Sequence, residues 1–148
     1  MAVDVTTEIV IEQPPELVSG YAGDPTNAPS WYVNIKSVEW QTPPPARLGS
    51  KVAFVARFLG RRLAYTYEIV EHVPGQRQVM RTAEGPFPME TTYEWERLAS
   101  GSTKMRLRNR GQPSGFASVA APLMEAAMRR ANRKDLDRLK AVLERQDF

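Results

Sequence analysis

Apolar and polar residues alternate along most of the first 110 residues of the chain. Residues 2–12, AVDVTTEIVIE, put Val3, Val5 and Ile9 on one face and the acidic side chains on the other. This period of two residues is typical of a half-buried β-strand. The same alternation predicts six further strands, near residues 33–42, 50–59, 62–73, 77–83, 88–98 and 103–110.

Two segments depart from this alternation. After the first strand, QPPELVSGYAG and DPTNAPSW predict two short helices or helical turns, since proline is tolerated in a first helical turn and Asp24 can cap the second. From about Phe116 to the end, apolar residues recur at steps of three and four, which predicts a long amphipathic helix. Pro122 lies near its start or kinks it. The turn-like connections predict a mostly antiparallel sheet, whose apolar face this long helix must cover.

Length and composition predict a single domain spanning residues 1–148. The chain has no cysteine, which suits a reducing compartment. Its N-terminal residues contain neither a basic segment nor an unbroken apolar run, and no stretch approaches the ~20 apolar residues of a membrane span. We therefore expect a soluble, cytoplasmic protein with no membrane span.

The formal charge of +3 is unevenly distributed. Residues 104–148 carry eleven Lys/Arg and five Asp/Glu, whereas residues 1–103 carry nine and twelve. The basic cluster lacks interleaved aromatic residues and a helix-turn-helix pattern, so we expect a solvated helix face, partly paired at i,i+4, and no nucleic-acid partner. Weak attraction to anionic lipid or to an acidic protein stays open. The cluster comprises Arg129, Arg130, Arg133, Lys134 and Arg138, with Asp135, Asp137 and Glu144 nearby.

Candidate catalytic motifs are few. A single histidine, His72, and the absence of cysteine exclude a Cys/His zinc site, a cysteine nucleophile and a multi-histidine metal centre. Neither a GxSxG motif nor a phosphate-binding loop is present. We therefore expect no metal and no cofactor, and the sequence identifies no catalytic residue.

Four segments resemble the START-like, helix-grip superfamily of polyketide cyclase/dehydrase and lipid-transport proteins (SRPBCC). They are IEQPPELV, DPTNAPSW, LGSKVAFVARFLGRRLAYTYEIVEHVPGQRQVMRT and GPFPMETTYEWERLASGSTKMRLRNRG, and together they cover nearly the whole chain. The resemblance, closest to small bacterial members, implies an α+β fold with two short helices after the first strand. A curved seven-stranded antiparallel sheet then wraps around the C-terminal helix and leaves a deep apolar cavity. In such proteins the short helices lie at the wider end of the cavity, which implies that Trp31 and Tyr32 wall or gate the entrance.

Strand parity assigns residues to the cavity face. Tyr65, Tyr67 and Tyr93 point inward and Glu68 points outward, although one bulge would invert this assignment. We predict twelve ligand-binding residues, for each of which a plain packing role is the alternative: Trp31, Val52, Phe54, Phe58, Tyr65, Tyr67, Met80, Tyr93, Trp95, Met105, Met124 and Met128.

Two asparagines bear on the same cavity. Asn109 continues the inward parity of Met105, and Asn132 lies one helical turn from Met128. Each amide either faces the cavity, where it needs hydrogen-bond partners, or lies near solvent.

These observations predict a protein that binds a hydrophobic small molecule such as a lipid, a polyketide-like aromatic compound or an isoprenoid. One alternative is a polyketide cyclase or dehydratase that uses the cavity tyrosines. Another is a protein-interaction module, related to the chaperone-activator branch of the superfamily, with a fully packed interior and an exposed apolar patch. A homodimer stays open.

Overall fold

The computed structural model describes residues 2–113, 116 and 119–145. Seven strands form one antiparallel sheet in the order β1-β7-β6-β5-β4-β3-β2. All seven predicted strands are present, and their ends lie within two residues of the predictions. Their bounds are β1 Val3–Ile11, β2 Ile35–Trp40, β3 Lys51–Phe58, β4 Arg61–Val73, β5 Arg77–Glu84, β6 Met89–Arg97 and β7 Thr103–Gly111.

The helices also follow the sequence pattern. Helix α1 spans Pro15–Ala22, a short 3-10 turn spans Pro25–Asn27, and α2 spans Ala28–Trp31. Asp24 caps the 3-10 turn, because its Oδ1 accepts a hydrogen bond from the Thr26 N–H at 3.0 Å. The long helix α3 spans Ala121–Arg145 and begins later than the predicted start near Phe116. Pro122 lies in its first turn, where no backbone N–H is needed, so it does not kink the helix.

Helix α3 lies across the apolar face of the sheet. Its buried stripe includes Met124, Leu136, Leu139 and Leu143. The C-terminal half is fastened to β1 and the residues that follow it. Lys140 Nζ donates to the Val10 carbonyl at 2.7 Å, and Gln13 Nε2 donates to the Leu143 carbonyl at 3.0 Å. The arrangement is a helix-grip fold. No helix in residues 2–113, 116 and 119–145 has the length and apolar character needed to cross a membrane.

Two register shifts interrupt the pairing of β4 with β5. Ala83 is the extra residue in β5, and Val70 is the extra residue in β4, between the pairs Ile69↔Met80 and Glu71↔Val79. Since the β4 bulge comes after Tyr67, it leaves the predicted inward parity of Tyr65 and Tyr67 intact. Beyond it, His72 pairs with Gln78, and its Nδ1 lies 3.0 Å from Gln78 Oε1.

Strands β3 and β4 are joined by the two-residue turn Leu59–Gly60. Both residues have positive φ, 49° for Leu59 and 78° for Gly60. A two-residue hairpin with both φ positive is the type I′ turn, which matches the right-handed twist of the flanking strands. Gly60 is the expected turn residue, whereas Leu59 is a branched apolar residue in a left-handed conformation that favours glycine or asparagine.

Candidate functional site

The sheet and α3 leave a cavity of about 170 Å³ between them. It runs from the short helices, at Ala28 and Tyr32, towards the first turns of α3, at Met124 and Met128. Its walls are mainly aromatic, aliphatic and methionine side chains, with a few polar groups. Such a lining is typical of sites that bind small apolar molecules.

Eight of the twelve predicted ligand-binding residues line this cavity. They are Phe54, Phe58, Tyr65, Tyr67, Met80, Tyr93, Met124 and Met128. The remaining four, Trp31, Val52, Trp95 and Met105, are buried in the main hydrophobic core. Trp95 and Met105 pair across β6 and β7, and they share this core cluster with Leu139 and Leu143 of α3. Their burial against other side chains leaves them outside the lining.

Two neighbouring aromatic residues at the end of α2 occupy different environments. Trp31 is fully buried, and its ring centre lies 4.0 Å from that of Tyr32 and 5.8 Å from that of Tyr93. Tyr32 has extended backbone and lines the cavity. The broken helical segment therefore directs Trp31 into the core and Tyr32 to the cavity wall. Trp40 is half-buried, and its Nε1 donates to Thr26 Oγ1 at 3.0 Å.

One polar cluster in the cavity consists of phenol groups. The hydroxyl oxygens of Tyr32 and Tyr93 lie 2.5 Å apart. Burial raises the pKa of Tyr32, Tyr65 and Tyr93, and the negative charge of Asp135 raises each further. Burial likewise raises the pKa of Tyr67 to about 12. All four phenols are therefore protonated at neutral pH and act as hydrogen-bond donors rather than bases.

Asp135 is a buried carboxyl group in the same cavity. Its side chain is on α3, the residue is only 3% exposed, and Oδ1 accepts a hydrogen bond from the Val33 N–H at 2.9 Å. Burial raises its pKa to about 7, although the Val33 hydrogen bond and the charge of Arg138 act in the opposite direction. Asp135 is thus able to gain or lose a proton near neutral pH.

Sequence reasoning placed Asp135 beside the basic surface cluster and missed its position in the cavity. The signal was present in the helical spacing. Met128, Asn132, Asp135 and Leu139 follow one another at steps of three and four, so Asp135 belongs to the buried stripe. A carboxylate on an otherwise apolar stripe is unusual enough to indicate a site.

A second polar group forms a chain of hydrogen bonds across the cavity wall. The Tyr67 hydroxyl lies 2.8 Å from Thr91 Oγ1, and Thr91 Oγ1 donates to Asn109 Oδ1 at 2.6 Å. Asn109 Nδ2 then donates to Asn132 Oδ1 at 3.2 Å. Asn132 Nδ2 is buried and has no hydrogen-bond partner among the described residues. Both asparagines line the cavity, so the solvent-facing alternative for these amides is wrong.

Several other charged or titratable groups lie away from the cavity. His72 is half-buried against Gln78, and Arg81 pairs with Glu90 at 2.6 Å. All five cations of the basic cluster are exposed, namely Arg129, Arg130, Arg133, Lys134 and Arg138. Within the described ranges, no group of three or more His, Asp or Glu side chains is placed to hold a metal ion.

Comparisons with known proteins agree with this architecture. Residues 2–144 match the model of the family described as "Polyketide cyclase / dehydrase and lipid transport". A search of curated proteins found no match. Solved structures do match, at identities that show the fold alone.

Three similar structures come from bacteria. The protein TTHA0849 from Thermus thermophilus has a TM-score of 0.81 and 22% identity, with 97% of this chain and 99% of that chain covered. A START superfamily protein from Mycobacterium smegmatis has a TM-score of 0.80 and 14% identity, with 95% and 97% covered. The Zhui aromatase/cyclase from Streptomyces sp. R1128 has a TM-score of 0.79 and 16% identity, with 98% and 95% covered. The family model covers all seven strands and all but the last residue of α3, and this chain therefore belongs to the polyketide cyclase/dehydrase and lipid-transport family.

Proposed function

We propose that this protein binds a small hydrophobic molecule in the cavity between the sheet and α3. The observation that carries this proposal is an apolar cavity of about 170 Å³ that side chains do not fill. Protein interiors are normally packed as densely as organic crystals, so an unfilled space of this size lowers stability. A binding function accounts for a cavity that is kept at that cost. Binding a ligand there restores the missing contacts.

The size of the cavity limits the ligand. An apolar cavity of about 150 Å³ in another protein holds benzene, so this cavity fits a single ring with a short substituent. Among the predicted ligand classes, a small aromatic compound or a short isoprenoid fits the space as it stands. A multi-ring polyketide or a long lipid would require side chains along the wall to move.

Methionine methyl groups provide a direct test of binding. Met80, Met89, Met124 and Met128 line the cavity, whereas Met105 is buried away from it. Toluene titrated into protein carrying ¹³C-labelled methionine methyl groups is expected to shift the four cavity signals and leave the Met105 signal in place. Toluene that shifts none of the four, or shifts Met105 equally, would rule out binding at this cavity.

An enzymatic role is the second candidate, and Asp135 is the observation that favours it. The cavity tyrosines remain protonated at neutral pH and suit proton donation, whereas burial in a mainly apolar cavity raises the pKa of Asp135 to about 7. A cyclase or dehydratase reaction needs such a proton carrier beside an apolar substrate. With a substrate identified, Asp135→Asn is expected to stop turnover while binding persists. Unchanged turnover in this variant would exclude Asp135 as the proton carrier.

The interaction-module alternative requires a fully packed interior. The cavity gives that alternative no support.

A further inference from the structure

The hydrogen-bond chain in the cavity wall has a direction. Thr91 has a single hydroxyl proton and gives it to Asn109 Oδ1 at 2.6 Å, so the Tyr67 hydroxyl donates to Thr91. Asn109 then uses Nδ2 to donate to Asn132 Oδ1. Each group donates to the next, from β4 through β6 and β7 to α3. The chain therefore ends in a donor, the Nδ2 group of Asn132.

This last donor is unsatisfied. Asn132 is 5% exposed, it lines the cavity, and its buried Nδ2 has no hydrogen-bond partner in the part of the chain that the structure describes. A buried donor left without a partner destabilises the fold, because it has lost its contact with water and gained nothing in return. Buried polar groups of native proteins are usually paired with a protein group, a water molecule or a ligand. The missing partner is an acceptor atom, which a ligand in the cavity can supply.

Asp135 adds a second polar contact beside this donor. Asn132 and Asp135 are three residues apart on α3, so their side chains are neighbours on one helix face, with Cβ atoms about 5–6 Å apart. One ligand oxygen fits between two groups at that separation. The Val33 N–H occupies Asp135 Oδ1, and Oδ2 accepts no hydrogen bond from the described residues. When protonated, Asp135 offers a second donor to the same oxygen.

The charges around the cavity disfavour an anionic ligand. Asp135 carries the one acidic side chain of the lining in the described part of the chain, and it repels a carboxylate when ionised. Arg110 is the one cation among the same lining residues, and its Nη2 is already paired with Glu90 at 2.8 Å. Nothing in the described lining offers an uncommitted positive charge to a fatty acid or an aromatic acid.

We propose that the ligand of this cavity is an uncharged apolar molecule with a ketone or aldehyde group, whose oxygen accepts a hydrogen bond from Asn132 Nδ2 beside Asp135. This proposal rests on the proposed binding function and narrows it to one ligand class. A carbonyl oxygen accepts hydrogen bonds and donates none, so it completes the series of hydrogen bonds that begins at Tyr67. The hydrocarbon remainder of the ligand contacts the aromatic and methionine walls.

Four single-ring probes of similar size test this assignment by calorimetry. Acetophenone carries the carbonyl, ethylbenzene lacks a polar group, 1-phenylethanol carries a hydroxyl, and benzoate is anionic. We expect wild-type protein to bind acetophenone about tenfold more tightly than ethylbenzene, the factor that corresponds to ~1.4 kcal/mol. Benzoate is expected to bind most weakly. In Asn132→Leu, acetophenone and ethylbenzene are expected to bind equally.

The control variant is Asn34→Leu, which removes another amide of the cavity lining. It is expected to retain the preference for acetophenone. Infrared spectroscopy of wild-type protein with ¹³C=O acetophenone gives a readout that needs no variant. A hydrogen-bonded carbonyl is expected to absorb at lower frequency than the same carbonyl in hexane.

The outcomes separate the two proposals. Tight binding of ethylbenzene with no gain for acetophenone would overturn the carbonyl assignment and leave the binding function standing. Tighter binding of 1-phenylethanol or benzoate, a preference that survives in Asn132→Leu, or an unshifted carbonyl band would overturn it as well. Failure of all four probes to bind would overturn both proposals.

Discussion

The hydroxyl oxygens of Tyr32 and Tyr93 lie 2.5 Å apart and join the segment after α2 to strand β6. Both side chains line the cavity, and neither hydroxyl has a second hydrogen-bond partner among the described residues. Replacing either tyrosine with phenylalanine leaves the other hydroxyl unpaired. We expect each single variant to lose about 1–3 kcal/mol of unfolding free energy. The double variant is expected to lose less than the sum, with a coupling of about 1 kcal/mol.

Urea unfolding followed by circular dichroism measures this double-mutant cycle. Tyr21→Phe is the matched control, because Tyr21 is half-buried and its hydroxyl has no hydrogen-bond partner in the described structure. It is expected to change stability little. Strictly additive effects of Tyr32→Phe and Tyr93→Phe would show that the two hydroxyls do not depend on each other.

The buried carboxyl of Asp135 makes stability depend on pH. The pKa of this carboxyl group is about 7 in the folded protein, and its ordinary value, which applies to the unfolded chain, is 3.8. The folded protein therefore binds more protons than the unfolded chain between these values, and the free energy of unfolding falls as pH rises through this window. Above the window the ionised carboxylate destabilises the fold by roughly 4 kcal/mol, at about 1.36 kcal/mol for each unit of pKa difference. Arg138 is the charged group that acts on it, and the uncharged phenols of Tyr32, Tyr65 and Tyr93 are the other titratable groups near it.

Asp135→Asn isolates this contribution, because an asparagine oxygen still accepts the hydrogen bond from the Val33 N–H. We expect the variant to be more stable than wild type at about pH 8 and equal to it at about pH 4. Thermal unfolding across this range measures the difference. Asp137→Asn, on an exposed position of the same helix, is the control and is expected to show no such trend. A constant difference between Asp135→Asn and wild type would contradict the raised pKa.

Filling the cavity is expected to block binding without harming the fold. Ala56 on β3 lines the cavity, and Ala56→Leu places additional carbon atoms in the empty space. We expect its affinity for toluene to fall by at least about tenfold, or ~1.4 kcal/mol. Ala53→Leu adds the same atoms on the other face of β3 and is expected to bind toluene like wild type. Equal affinity of all three proteins would place the toluene site elsewhere.

The β3–β4 turn offers a stabilising substitution. Leu59 is 49% exposed and holds a left-handed φ of 49°. Because this conformation is unfavourable for a branched side chain and Asn-Gly is a preferred type I′ pair, Leu59→Asn is expected to add about 1 kcal/mol to the free energy of unfolding. A raised melting temperature in calorimetry would show this. Leu48→Asn removes another exposed leucine, at a position without positive φ. This control variant is expected to leave the melting temperature unchanged.

Strand alternation was sufficient to predict the sheet and most of its inward face. Phe54, Tyr65 and Tyr93 lie on the predicted side because no bulge precedes them in their strands. The bulge at Val70 could not be predicted, since an extra residue changes no local hydrophobic pattern until the partner strand is known. Its effect is confined to the end of β4, where it brings His72 opposite Gln78.

The polar part of the cavity was harder to predict. Helical spacing alone puts Asp135 on the buried stripe, yet the surrounding charges made a surface position the simpler interpretation. The chain from Tyr67 to Asn132 joins residues of three strands and one helix, so it depends on tertiary register that no local pattern contains. The placement of Trp31 in the core and of Tyr32 on the cavity wall depends on the exact residue at which α2 ends.

The pairing of β1 with β7 also determines the order in which the fold can assemble. Strands β2 to β7 pair with their neighbours in sequence, whereas Val3 meets Gly111 and Ile11 meets Thr103 across most of the chain. Closing a loop of that length lowers the entropy of the chain before the new strand contacts stabilise the pairing. Such pairings therefore form late. Val3 and Gly111 both border the cavity, and α3 packs on β1. During synthesis, therefore, β1 remains unpaired until β7 has been synthesised. The cavity is then the last part of the protein to close.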